Sequence, residues 1–150
     1  MIKFKTKSII TISEYLNAHT RDAAKMYLGV SPLSLYSNNE NGSIAQQIYA
    51  NDLRFRIIDS IYIIEIFDLK EDKKLNNGEQ WRIVVTDLYN KATPIIRYDT
   101  GDIGVIELDS ENKPYFPEIY ARKLDLLYDT NGNLVPSHLS AKLCEYGNYK

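Results

Sequence analysis

Between residues 55 and 108 the chain repeats one pattern, a short run rich in β-branched and aromatic residues followed by a polar break. The runs are FRIID, YIIEIFDL, WRIVVTDL, TPIIRY and DIGVIEL, separated by segments such as KEDKKLNNGEQ and DSENKP. Runs this short and this β-branched suit strands rather than helices, and frequent turns between them favour antiparallel neighbours. The pattern predicts an antiparallel meander or a small β-barrel. Asn77-Gly78 is a hairpin signal, because both residues tolerate the left-handed backbone that a tight reversal needs. LLYDTNGNLV, residues 126–135, predicts one more hairpin with Asn131-Gly132 at its tip.

The first fifty residues differ. KSIITIS (7–13) predicts a strand, with Ser13 placed to cap a helix. Leu16, Thr20, Ala23 and Tyr27 then recur at helical spacing, and Gly29 is a natural stop. PLSLYS (32–37) predicts a second strand, and strand–helix–strand implies a parallel βαβ unit. The fold class is therefore α/β plus β-rich, with the end of a βαβ subdomain leading into a small antiparallel barrel and a hinge hairpin. The expected boundaries are 1–52 for the α/β part, 53–120 for the barrel, and 121–150 for the hinge and the start of a carboxyl-terminal domain. PSHLSAKLCEYG predicts the start of a helix, with Ser137 as its cap. An α/β sheet ordinarily has several more strands than this one, so the chain is expected to be a piece of something larger.

Composition narrows the function classes. Hydrophobic residues make up 44%, charged residues 25%, and the net charge is −2. No lysine or arginine block forms a basic stripe, which argues against a nucleic-acid partner. The opening MIKFKTKSIITI is too short and too polar for a membrane span or signal peptide, so no membrane partner is expected. The single cysteine, Cys144, excludes an internal disulfide and a cysteine-cluster metal site. Only His19 and His138 could serve it as a base, so a plain packing role is favoured. A reducing, cytoplasmic setting fits. Apolar surface exposed where neighbouring segments belong would favour a homo-oligomer.

Three polar clusters invite a chemical reading. In YSNNENG (36–42) an aromatic ends a strand and Glu40 sits among small polar residues. Ligands of parallel α/β sheets bind at the carboxyl ends of strands. An exposed tyrosine there can stack on a flat base, and a loop carboxylate can hold Mg²⁺. Its composition alone says only that it is a turn. TPIIRYDTGDIG (93–104) places Asp99, Thr100, Gly101 and Asp102 in what reads as a turn between two strands, after Arg97-Tyr98. A carboxylate there can accept two hydrogen bonds from a vicinal diol such as a ribose. Alternatively it is a decorated hairpin in which Arg97 pairs with Asp99 or Asp102. ARKLDLLYDTNG (121–132) puts Arg122 and Asp125 at a junction, which is either a hinge or a solvated linker.

Taken in order, the clusters resemble the adenylate-forming superfamily, which includes acyl-CoA ligases, luciferases and the adenylation domains of peptide synthetases. YSNNENGSIAQQ, WRIVVTDLYNKATPIIRYDTGDIGVIE and RKLDLLYDTNGNLVPSHL look most like the phenylacetate–coenzyme A ligase branch, including its capsule-biosynthesis relatives. The resemblance spans roughly residues 8 to 140. It implies ATP-dependent activation of a carboxylic acid as an acyl-adenylate, followed by transfer to coenzyme A, with Mg²⁺ as cofactor. By that resemblance Tyr36 would pack on adenine, Asn39 would lie near the α-phosphate and Glu40 would help bind Mg²⁺. Asp102 would hold the ribose hydroxyls, on a turn shaped by Thr100 and Gly101 and braced by Arg97-Tyr98. Arg122 would assist near the ribose or phosphate, and Asp125 or Leu124 would form the hinge. Ser37 and Ala121 stand where the family usually has glycine. The family's phosphate loop and its catalytic lysine have no counterpart in this sequence. The resemblance therefore implies a fragment, inactive alone, of an acid–thiol ligase. The alternative is a non-catalytic scaffold or interaction module derived from that family.

Overall fold

β1 (Ile10–Ile12) and β2 (Leu33–Asn38) pair in parallel, with Ile10 opposite Leu33 and Ile12 opposite Leu35, and α1 (Ala18–Leu28) crosses between them. The βαβ unit expected from the sequence is present. The computed structural model describes residues 5–13, 16–122, 127–131 and 134–135. The cap of α1 is Asn17 rather than Ser13: Asn17 Oδ1 accepts the Thr20 N–H at 2.7 Å, while Ser13 ends β1 with a positive φ of 73°. Gly29 closes the helix in the left-handed conformation, its N–H donating to Lys25 O at 3.0 Å. No residue of α1 is buried. The Arg21 guanidinium ties the helix down, with Nη1 donating to Pro32 O at 2.6 Å and Nη2 to Gln47 Oε1 at 3.2 Å. No helix among the described residues is long and apolar enough to cross a membrane.

The β-rich runs build two open sheets. β3 (Gly42–Gln47), β4 (Phe55–Ile57), β8 (Glu107–Leu108) and β9 (Pro114–Phe116) extend the βαβ pair into a six-stranded sheet of order β1-β2-β3-β4-β9-β8. The α/β and β-rich parts of the chain therefore share a sheet. β5 (Tyr62–Phe67), β6 (Gln80–Asp87), β7 (Tyr98–Val105) and β10 (Ile119–Arg122) form a second sheet of order β10-β7-β6-β5. Its outer strands, β10 and β5, do not pair with each other, so no closed barrel exists among the described residues. β11 (Leu127–Tyr128) and β12 (Leu134–Val135) pair antiparallel, as the hairpin expected around Asn131-Gly132 requires. The segment predicted as a helix after Pro136, with its Ser137 cap, lies outside the described residues, as do Cys144 and His138.

Two expectations need correction. Thr93–Ile96 of TPIIRY is not a strand, and Asp99–Asp102 is not a turn between strands. Instead Tyr98–Val105 is one continuous strand. Pro94 has no N–H for a ladder, and Arg97 adopts a positive φ of 49°, so pairing begins only at Tyr98. The Asn77-Gly78 signal does mark a reversal. Gly78 has φ 89° and donates to Ile106 O at 2.9 Å, within a longer β5–β6 connection that Glu79 Oε2 and the Asn76 N–H help close at 2.7 Å.

One apolar cluster joins the two sheets. Ile44, Ile57 and Phe116 come from the first, and Tyr62, Ile83 and Val85 from the second. Ile83 and Phe116 are completely buried, and each such side chain contributes about 1.5–3 kcal/mol through its removal from water. The packing leaves no room at Gly104: a Cβ there would lie 2.8 Å from Ile83 Cδ1 and 3.3 Å from Ile83 Cγ1. Because Ile83 is enclosed, its tip has nowhere to retreat. Gly104→Ala is expected to lower stability by about 1–3 kcal/mol in urea unfolding. Ile83→Val, which removes the clashing Cδ1, should recover part of that loss when added to Gly104→Ala; strictly additive destabilisation would disprove the clash.

Candidate functional site

The polar stretch of β7 is a bulge. Arg82 faces Ile103 and Val84 faces Asp99, so Thr100, Gly101 and Asp102 together oppose Ile83 alone. Gly101 has φ 76° and open space where a Cβ would stand, so glycine is needed there for the backbone and not for room. Each surplus polar group has a partner. Asp99 Oδ1 accepts the Gly101 N–H at 3.0 Å, and Asp99 Oδ2 accepts from Arg82 Nη1 at 2.8 Å. Thr100 Oγ1 donates to Ile83 O at 3.0 Å and accepts the Asp102 N–H at 3.1 Å.

The bulge delivers Asp102 to Tyr36. The Tyr36 hydroxyl donates to Asp102 Oδ2 at 2.7 Å and lies 3.4 Å from Thr100 Oγ1. The tyrosine is half-buried rather than exposed, its ring edge-on to Phe116 with centroids 5.8 Å apart. Burial, and next the negative charge of Asp102, hold the Tyr36 phenol far above its ordinary range, so it stays a protonated donor at physiological pH. Arg122, on β10, is the register partner of Asp102, with Nε 3.9 Å from Oδ1. Arg122 is 75% exposed, so this pair is loose and contributes little to stability. Tyr36, Asp102 and Arg122 thus converge from three strands that are far apart in the sequence.

Glu40 and Asn39 belong to the β2–β3 turn. Asn38 Oδ1 accepts the Asn41 N–H at 2.7 Å, Gly42 takes φ 76°, and the Tyr62 hydroxyl donates to Asn41 O, which together fix the turn. The Tyr98 phenol of β7 lies near Glu40; burial first, and this carboxylate second, raise it. The turn with Glu40 and the strand with Asp102 are therefore neighbours. No cluster of three or more histidine, cysteine, aspartate or glutamate side chains that could hold a metal exists among the described residues. A cation at Glu40 would take its other ligands from water and a bound phosphate, as Mg²⁺ commonly does. Leu124 and Asp125 lie outside the described residues.

Arg97 pairs with neither Asp99 nor Asp102. It lies beside Glu65 of β5, with Nε 3.1 Å from Oε2 and Nη2 3.3 Å from Oε1, and Lys74 Nζ is 3.2 Å from the same carboxylate. Sequence reasoning does not single out Glu65 or Phe116, which carry no local signal because their partners are remote in the chain. It reaches Tyr98 only as a brace for the strand, not as a neighbour of Glu40. A separate groove of about 390 Å³ is lined by Ile48, Tyr49, Asp52, Arg54, Arg56 and Tyr115. Its two arginines are already neutralised by Asp52 and Asp109, so it offers no surplus charge to a ligand.

No family model matches the chain, and no curated protein matches it. Solved structures do. An open conformation of 2-hydroxyisobutyryl-CoA ligase, in complex with 2-HIB-AMP and CoA, superimposes with a TM-score of 0.76 over 93% of this chain at 21% identity. ATP-bound MatB from Rhodopseudomonas palustris gives a TM-score of 0.62 over 87% at 21% identity. The anthranilate CoA ligase AuaEII, in complex with anthranoyl-AMP, gives 0.61 over 84% at 20% identity. The chain spans 34%, 28% and 26% of those proteins, respectively. It has the fold of that part of these CoA ligases.

The Glu65 cluster yields a pH signature. Burial opposes the charged form, but Arg97 and Lys74 together outweigh it and hold the carboxyl below the usual glutamate range. A folded value below the unfolded one stabilises above the unfolded value, about 4.3, and that contribution is lost as pH falls through the folded value. The stability difference between wild type and Glu65→Gln, read by urea unfolding, should be full near neutrality and shrink below about pH 4. A difference that stays constant down to about pH 3 would rule out the charged pairing.

Proposed function

We propose that the chain is the nucleotide-holding segment of an AMP-forming acid–thiol ligase. The observation that supports this most is the meeting of Tyr36, Asp102 and Arg122, in the chain order the sequence resemblance requires, on a fold shared with ligases whose structures contain ATP, acyl-adenylates or CoA. In the whole enzyme a carboxylic acid's oxygen attacks the α-phosphorus of ATP, pyrophosphate leaves, and an acyl-adenylate forms. A thiol, coenzyme A in this reading, then displaces AMP to give the thioester. Such chemistry depends on holding the nucleotide and managing charge at phosphorus.

Each residue has a part consistent with its surroundings. Asp102, held by Tyr36 and by the bulge, accepts hydrogen bonds from the ribose hydroxyls. Tyr36 borders the adenine, and Asn39 lies toward the α-phosphate. Arg122, only loosely engaged, can swing toward ribose or phosphate. Glu40 would hold Mg²⁺, which when bound offsets the phosphate charge. Leu124 and Asp125 belong to the hinge of this reading, between a segment ending near 120 and one beginning at 121. The motifs favour the phenylacetate–coenzyme A ligase branch with its capsule-related members, acting in the cytoplasm. A non-catalytic interaction module is the second reading, and the exposed Ile10, Ile12, Met26 and Tyr27 speak for it.

Calorimetric titration of the 150-residue chain with ATP·Mg²⁺ tests the proposal. Saturable binding is expected, weakened about tenfold or more by Asp102→Ala because a charge-assisted hydrogen bond is lost. A chain that binds no nucleotide, or an alanine variant that binds equally well, would sink the nucleotide role.

A further inference from the structure

Thr100 touches each part of the arrangement that holds Asp102: the opposing strand, the Asp102 backbone and Tyr36. A threonine hydroxyl has one donor and two acceptor positions. Here the donor goes to Ile83 O, at 3.0 Å, and one acceptor position takes the Asp102 N–H, at 3.1 Å. The second acceptor position faces the Tyr36 hydroxyl at 3.4 Å, whose proton goes to the nearer Asp102 Oδ2. Ile83 is the residue that three residues of β7 oppose, and its carbonyl accepts this hydroxyl at the centre of the bulge.

From this geometry we infer that Thr100 is a positioning residue: its hydroxyl sets the direction of the Asp102 carboxylate and thereby the discrimination between ribose and deoxyribose nucleotides. The inference rests on the proposed ribose role of Asp102. The logic is that of any site built to pair with a hydroxyl. Discrimination against the analogue lacking it depends on a carboxylate that cannot turn elsewhere to find a substitute partner. Valine has the shape of threonine without the hydroxyl. It would leave the Asp102 N–H without its Thr100 acceptor, and the bulge would relax toward other pairings.

The test compares binding of ATP·Mg²⁺ and 2′,3′-dideoxy-ATP·Mg²⁺ to the wild-type chain, Thr100→Val, Thr100→Ser and Asp102→Asn. Amide hydrogen exchange of Asp102 is measured in the nucleotide-free chains. The wild type should prefer ATP by about tenfold or more, and Asp102→Asn should abolish the preference. Thr100→Val should reduce the preference about threefold or more and speed Asp102 amide exchange about tenfold, while Thr100→Ser keeps both at wild-type levels. A preference that survives Asp102→Asn overturns the ribose reading itself. A preference lost in Asp102→Asn but intact in Thr100→Val, or unchanged Asp102 amide exchange in Thr100→Val, overturns the role of Thr100. Should Thr100→Val not fold, Thr100→Ala removes the same hydroxyl and is read the same way. A folded Thr100→Ser that has lost the preference or the protection also overturns the inference.

Discussion

A one-for-three mismatch in the ladder between β6 and β7 organises the molecule's polar chemistry. Opposite the single residue Ile83, the backbone must accommodate Thr100, Gly101 and Asp102. The glycine takes the left-handed conformation, and its neighbours' side chains bond to the backbone around the bulge. Every unusual residue in that stretch follows from this. Asp99 steadies the Gly101 amide and Arg82, Thr100 takes up the Ile83 carbonyl, and Asp102 is brought to the Tyr36 hydroxyl. The same Ile83 whose backbone anchors the bulge also places its side chain in the core against Gly104. Shape of the core and orientation of the carboxylate are therefore set at one position.

The charges divide into two kinds. Most arginines of the β-rich part are committed to structure: Arg82 to Asp72 and Asp99, Arg97 to Glu65, Arg56 to Asp109 and Arg54 to Asp52. Arg82 also donates to the carbonyls of Asp68 and Glu71, closing the long β5–β6 connection over the sheet. Arg122 differs. Its contact with Asp102, at 3.9 Å, is the longest ion pair among the described residues, and most of its side chain is in water. A cation held this loosely can be redirected by a ligand at little cost, whereas releasing Arg82 would undo several bonds at once.

Features that depend on near neighbours are legible in the sequence. The helix α1, its Gly29 stop and the β11–β12 pairing arise from residues close together in the chain, and the flanking strands then complete the βαβ unit. Asn17 rather than Ser13 is the cap because α1 begins at Ala18, so Asn17 is the residue whose side chain reaches the free N–H of the first turn. The bulge reads as a turn in sequence because Asp-Thr-Gly-Asp has turn composition; only the pairing partner, Ile83, distinguishes the two. Proximity in the chain offers Arg97 its nearest acids, yet the strand order places Glu65, 32 residues away, beside it. The number and spacing of β-runs suggest a barrel because they do not say which strands meet. β4, β8 and β9 instead join the sheet begun by the βαβ unit. Of the site, the residue types and their order are legible, whereas the Tyr36–Asp102 bond and the nearness of Tyr98 to Glu40 are not, since each involves residues remote in the chain.

The attachment of α1 has a dynamic consequence. An eleven-residue helix is marginal by itself, and this one has no buried side chain to hold it down. Its order comes from its two caps and from Arg21, whose second partner, Gln47, also accepts from the Ser34 N–H and donates to Leu53 O. An element held this way can open while the sheets stay folded. Ile10 and Ile12 are exposed with the helix in place, so the edge strand β1 faces solvent whether or not α1 is ordered.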